Sequence, residues 1–212
     1  MKYQDVKEIN LRFFAGLFEK FADDHHVVGQ SELSHRKRFE KILELADFSG
    51  RSVLDIGCGI GGFYGFLREK GIRAEYSGFD INEKMIACAR ERYPEIRDRF
   101  SVCDIMETDP GARYDYVIAI GPLNLKFGAT MNMASTRLLL ERMFGLADIG
   151  MAVSMTSWLA RKRNADTYYY HAGKIIDAIA RYCSNFKLDH AYLPHDFTVF
   201  CYKKDLYDDK TK

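Results

Sequence analysis

Three aspartates recur at near-equal intervals in this chain: Asp55, Asp80 and Asp104. Asp55 lies inside Val53-Leu-Asp-Ile-Gly-Cys-Gly-Ile-Gly-Gly62, an apolar run that breaks into a glycine-rich turn. Asp80 closes Tyr76-Ser-Gly-Phe-Asp, and Asp104 closes Phe100-Ser-Val-Cys-Asp. Steps of 25 and 24 residues each fit one strand–helix–strand unit, so the carboxylates are expected side by side along one edge of a parallel sheet. Each carboxylate offers two acceptor oxygens, which suits a ligand carrying hydroxyl, amino or ammonium groups. Asp55, at the end of a buried strand, needs a partner that a cationic ligand would supply. Glycines at 57, 59 and 62 let the backbone turn sharply and let a ligand lie against bare main chain. Any one of these acids could be a helix N-cap after a strand, but three in register with a glycine loop are poorly explained that way.

The elements needed to position them are legible as alternating patterns. Strands are expected near 52–56, 75–80, 99–104, 114–120 and 149–156, and helices near 61–70, 83–93, 132–147 and 172–184. That alternation predicts a parallel sheet covered on both faces. Phe186–Tyr192 and Phe197–Tyr202 are also strand-like, and the segment around Pro194-His195-Asp196 is too short for a parallel crossover, so these two form an antiparallel hairpin. Upstream, Phe13, Phe14, Leu17, Phe18 and Phe21 mark an amphipathic helix over the first 24 residues, and Leu33 to Ala46 reads as a second. Residues 23–30 read as a loop, and the charged tail after Lys203 as frayed.

Asp-x-Gly-x-Gly over residues 55–59 resembles motif I of the class I S-adenosylmethionine-dependent methyltransferases, in particular the small stand-alone bacterial type. Seven strands ending in an antiparallel hairpin are similar to that family's sheet. The resemblance implies an α/β, Rossmann-like single domain over 1–212, with a helical lid or cap at 1–48, a catalytic core at 49–205 and a frayed tail at 206–212. It implies S-adenosylmethionine as cofactor. Asp80 would then take both ribose hydroxyls and Asp104 the adenine amino group, with the backbone N–H of Ile105 facing a ring nitrogen and Ile81 and Met85 against the adenine faces. Asp55 and the backbone of Gly57, Cys58 and Gly59 would meet the methionine end, with Gly121 on the same edge. Arg38, in the helix before motif I, is a candidate for the cofactor carboxylate, with the preceding helix as lid.

A nicotinamide-dependent oxidoreductase is the rival enzyme. Gly57-x-Gly59-x-x-Gly62 satisfies the dinucleotide fingerprint, with Asp80 placed 18 residues later. Against it, Asp55 would set negative charge near a pyrophosphate. A non-catalytic cofactor-binding protein is a third possibility. On the acceptor side, Ile120-Gly-Pro-Leu-Asn-Leu125 is neither the Asn/Asp-Pro-Pro-aromatic motif of nucleobase amino-methyltransferases nor a Pro-Cys pair, and no acid closes the preceding strand to hold a metal. These features favour a small-molecule acceptor, methylated on oxygen or nitrogen without a metal. His195, beside Asp196 in the turn between the last two strands, is a candidate base, and His171 is a second. Trp158 and Tyr168-Tyr-Tyr170 are candidates for a substrate wall.

Length and composition agree with one soluble domain. The 212 residues suffice to bury roughly 70% of the unfolded surface. A net charge of +1 gives no global attraction to nucleic acid or an acidic membrane, and Arg161-Lys-Arg163, a dense basic cluster, reads as a solvated loop. Five widely spaced cysteines without a C-x-x-C pair point to free thiols, and no apolar run approaches a membrane span, so a cytoplasmic setting is expected. Nothing in the sequence fixes an oligomeric state.

Overall fold

The computed structural model describes residues 3–21 and 31–204. Along the chain it forms α1 (Tyr3–Phe21), α2 (Glu32–Ile42), β1 (Ser52–Ile56), α3 (Gly62–Glu69), β2 (Glu75–Asp80) and α4 (Glu83–Arg92). Then come β3 (Phe100–Val102), β4 (Tyr114–Ile120), α5 (Ala129–Leu146), β5 (Ala147–Thr156), α6 (Ala172–Ile179), β6 (Phe186–Asp189) and β7 (Asp196–Tyr202). The seven strands form one sheet in the order β3-β2-β1-β4-β5-β7-β6. β1 pairs in parallel with β2 and β4, whereas β7 runs antiparallel between β5 and β6. The expected Rossmann-like α/β fold with its terminal hairpin is therefore the observed one.

Successive strand residues face opposite sides, and both sides are covered. Leu54, Val117, Val153 and Val199 pack with Leu140 and Met143 of α5 and Ile175 and Ile179 of α6. Val53, Ile118, Ala152 and Phe200 pack with Ile42 of α2, Phe63 and Phe66 of α3 and Ile86 of α4. Burial on both faces explains why the central strands read as nearly continuous apolar runs. Strand order reverses between β1 and β4, which opens a crevice beyond their carboxyl ends.

Several boundaries differ from those expected. β3 stops at Val102, so Asp104 lies past the strand and opens a turn in which its carbonyl accepts from Glu107 and Thr108 N–H. α6 stops at Ile179 instead of 184, because Tyr182 and Cys183 N–H both bond back to Ile179 and turn the chain into β6. β6 ends at Asp189, three residues short of the expected run. A 3-10 turn over Pro94–Arg99 has no counterpart in the sequence patterns. The expected loop at 23–30 and the tail at 206–212 lie outside the described residues.

The two N-terminal helices differ in kind. α2, capped by Ser31 accepting from Ser34 N–H, buries Arg38, Phe39 and Ile42 against the sheet and so belongs to the core. α1 buries only Val6 completely and lies over the carboxyl edge. Among the described residues no helix is long and apolar enough to cross a membrane.

Candidate active site

A cavity of about 210 Å³ lies at the switch point, floored by the ends of β1, β2 and β4 and roofed by α1. It brings together Asp55, Gly57, Cys58 and Gly59 from the first loop and Asp80, Ile81 and Met85 from the second. Asp104, Ile105 and Gly121 complete the wall. Ten of the thirteen residues given a cofactor or base role in the sequence thus share one cavity; Arg38, His171 and His195 do not line it.

The glycine loop is held from below, since Gly57 and Cys58 N–H both donate to the Phe79 carbonyl at 2.7 and 3.0 Å. Gly57, Gly59 and Gly61 have positive φ, so Gly61, not Gly62, makes the third left-handed turn. Gly62 instead starts α3, and a methyl there would make only ordinary contact with the Phe39 and His35 rings, at 3.4 and 3.7 Å. A methyl at Gly57 would lie 2.7 Å from Pro122 Cβ, so this loop and the one after β4 can touch only through a glycine.

Each acid has acquired protein partners. Asp55 is 3% exposed and accepts from the Tyr76 hydroxyl at 2.7 Å. Burial outweighs that bond and, with the charge of Asp80 nearby, lifts its carboxyl to about 7. Asp80 accepts from Gly59 N–H and Asn82 N–H, one on each oxygen, both at 2.9 Å. Its carboxyl too is raised by burial, against the pull of those backbone bonds. Asp104 accepts from the Tyr3 hydroxyl at 2.9 and 3.0 Å and from Met106 N–H at 3.0 Å, and pairs with Lys7 Nζ at 3.0 Å. Lys7 also reaches Glu107 at 2.6 Å, so a polar latch fastens α1 over this end of the cavity. The Cys58 thiol is pushed up by burial and by Asp80 and Asp55, which disfavours its thiolate.

The raised carboxyl of Asp55 has a thermodynamic consequence. Its folded-state value lies above the unfolded value near 3.8, so protonation favours the fold. That stabilisation is complete below about pH 4 and is lost as pH rises towards about 7. Asp55→Asn, neutral throughout, is expected to melt above the parent near pH 8, by an amount on the order of a few kcal/mol, and with it near pH 4. Melting curves at the two pH values check this; a difference independent of pH would contradict it.

The three remaining candidates lie outside this cavity, where strand and helix geometry puts them. Arg38 is 3% exposed and turns away from the cavity to the fully buried Asp196, with Nε at 2.8 Å and Nη2 at 2.7 Å from Oδ2. Because Asp196 opens β7 facing inward, the preceding His195 projects the other way and its side chain is 39% exposed. Its ring stands 3.6 Å from Asp196, and its carbonyl accepts from Ser157 N–H. His171 precedes α6, exposed, with its ring stacked 4.4 Å from Trp158. The aromatic residues near it form no wall to this cavity. Tyr170 is buried and donates to the Leu123 carbonyl at 2.7 Å, so it supports the loop after β4 from beneath.

The structure also brings to the cavity residues that had been given no part in a site. Tyr3, Val6, Lys7, Asn10 and Phe14 come from α1, and His35 and Phe39 from α2. A signal for His35 existed: it stands four residues before Phe39, so it shares the inward face of α2.

Residues 53–138 match the methyltransferase domain family. A malonyl-[acyl-carrier protein] O-methyltransferase of Acetivibrio thermocellus is 32% identical over 87 residues, or 40% of this chain and 31% of that protein. The chain therefore spans about a third of that relative's length. Among solved structures, magnesium protoporphyrin IX methyltransferase from Synechocystis with bound S-adenosylhomocysteine superimposes with a TM-score of 0.66 at 16% identity, covering 93% of this chain and 99% of that one. The N-methyltransferase NodS from Bradyrhizobium japonicum, in complex with S-adenosylhomocysteine, gives 0.65 at 15% identity over 91% and 98%. These likenesses show that the fold is shared.

Proposed function

We propose that this chain, whose residues 53–138 belong to the methyltransferase domain family, methylates an oxygen or nitrogen of a small molecule with S-adenosylmethionine and without a metal. The observation that carries this is the row of Asp55, Asp80 and Asp104 around one roofed cavity that also exposes the glycine loop. Each oxygen of Asp80 carries one backbone N–H, and a carboxylate oxygen can accept a second bond, so capacity remains for a ribose diol. Asp104 and the backbone of Ile105 stand at the adenine end, with Ile81 and Met85 as apolar neighbours. Asp55 and the backbone of Gly57, Cys58, Gly59 and Gly121 are left for the methionine end, where Asp55 would answer an ammonium.

Bound there, the cofactor supplies a methyl group on a positively charged sulfur. The chain's own work is to align the acceptor, exclude water and accept a proton where one is released. Val6 and Phe14 of the roof, with Phe39, Leu123 and Phe127, make an apolar enclosure that fits a small acceptor. Oxygen or nitrogen as the methylated atom follows the named relatives, an O- and an N-methyltransferase. The end of β4 holds no acid to bind a metal.

Incubation with methyl-labelled S-adenosylmethionine and a cell extract freed of macromolecules, with chelator present, tests this reading. One labelled methyl on a small molecule is expected. Label appearing only in protein or nucleic acid fractions, or only with added divalent metal, would contradict it.

A further inference from the structure

We propose that the loop after β5 docks on a membrane surface carrying anionic lipids, through the Trp158–Leu159 tip and the cations that follow it. The proposal goes beyond the cofactor cavity and does not rest on it. Ala160 N–H donates to the Ser157 carbonyl at 3.0 Å, so Trp158 and Leu159 hold the two central positions of a tight turn. Those positions ordinarily go to glycine, proline, asparagine, aspartate or serine. Here they carry side chains that are 46% and 69% exposed. Among the described residues six large apolar side chains are exposed, and these are the two that adjoin in sequence. Single exposed apolar residues are ordinary, but two on one turn tip beside a run of cations mark an interaction surface.

The fold holds the tip in place. Trp158 N–H donates to the Tyr170 carbonyl at 2.9 Å, and Leu159 N–H to Ser157 Oγ at 3.1 Å. The Arg163 guanidinium donates to the Trp158 carbonyl and lies 3.9 Å from the centroid of its ring, against which the His171 ring also stacks at 4.4 Å. Leu159, so fixed, adds nothing to the core and offers its apolar area to a phase outside the chain.

Charge selects the partner. Arg161, Lys162 and Arg163 follow the tip directly, and all three are exposed. From Ser157 to Tyr170 one acid, Asp166, opposes them. The Asp166 carbonyl accepts from Lys126 N–H at 2.8 Å, which brings the exposed Lys126 alongside. The patch is thus locally positive although the whole chain carries only +1. A small anion would answer the cations and leave Leu159 in water. A second copy packed tip to tip would set like charges against each other. An anionic bilayer meets both demands: lipid phosphates face the arginines and lysine, the indole sits at headgroup level, and acyl chains just beneath take Leu159. Because β5 runs parallel to β4, the tip stands on the carboxyl edge of the sheet, the edge at which the cavity lies.

Trp158 is the single tryptophan of the chain, so its fluorescence reports this turn alone. The full chain is mixed with vesicles of phosphatidylcholine, or of phosphatidylcholine with an equal part of phosphatidylglycerol. With the mixed vesicles, co-sedimentation, a blue-shifted emission and protection from acrylamide quenching are expected, all weakened by added salt. Arg161→Gln with Lys162→Gln should lower the partition roughly 25-fold, about fivefold per cation. Leu159→Ser, which suits the turn, should lower it about tenfold or more. Both variants alter exposed side chains and leave the core untouched. No binding to the mixed vesicles, binding with unchanged emission, or equal partition of parent and variants would each overturn the proposal. An emission shift that follows chain concentration without vesicles would also overturn it, in favour of an interface between copies.

Discussion

Asp80→Ala is expected to weaken binding of S-adenosylhomocysteine by about 1–3 kcal/mol, roughly 5- to 150-fold. Two losses combine in this variant. The ribose hydroxyls lose a charged acceptor, and Gly59 and Asn82 N–H lose the bonds that now hold the glycine loop against the end of β2. Asp80→Asn retains one carbonyl oxygen and should fall between the two. Calorimetry of the three proteins measures this directly, and unchanged affinity in Asp80→Ala would remove Asp80 from the binding site.

Arg38→Ala is expected to cost about 3–5 kcal/mol of folding stability, the range for stranding one member of a buried ion pair. Asp196 is fully buried and its carboxyl is raised by burial against the pull of Arg38 and His195. Removing the guanidinium leaves that carboxylate with the exposed ring of His195, 3.6 Å away, as a far weaker partner. Among the described residues Arg38 Nη1 and Asp196 Oδ1 have no hydrogen-bond partner, so the pair is imperfectly compensated even when intact. The double variant Arg38→Met with Asp196→Leu should therefore recover most of the loss. Denaturant unfolding of the single and double variants checks both statements. A single variant as stable as the parent would contradict the first.

The chemistry of the local chain was easier to read than the contacts between distant segments. Alternation of buried strands and amphipathic helices sets Asp55 and Asp80 at the ends of neighbouring strands and Asp104 just past the next, because side-chain period and unit length are properties of local sequence. The partners those acids use are not local. Tyr3 lies 101 residues from Asp104, and Arg38 lies 158 from Asp196. No spacing rule links such pairs, so Arg38 reads equally well as a ligand for an anion and as the counter-ion of a buried strand residue. His195 shows a subtler limit. Its place at the cofactor edge follows from topology, but one residue of strand phase decides whether it or Asp196 points inward. His35 had the opposite problem: it was legible as the helical neighbour of Phe39, yet the identity of what lies across from that face depends on where α2 docks.

The most direct test of the central claim is a calorimetric titration of the chain with S-adenosylhomocysteine, with NAD titrated in parallel. One saturable site per chain for S-adenosylhomocysteine, abolished or strongly weakened in Asp80→Ala, and no heat with NAD, is the predicted result. Saturable binding of NAD with none of S-adenosylhomocysteine would contradict it and return the cavity to a nicotinamide cofactor.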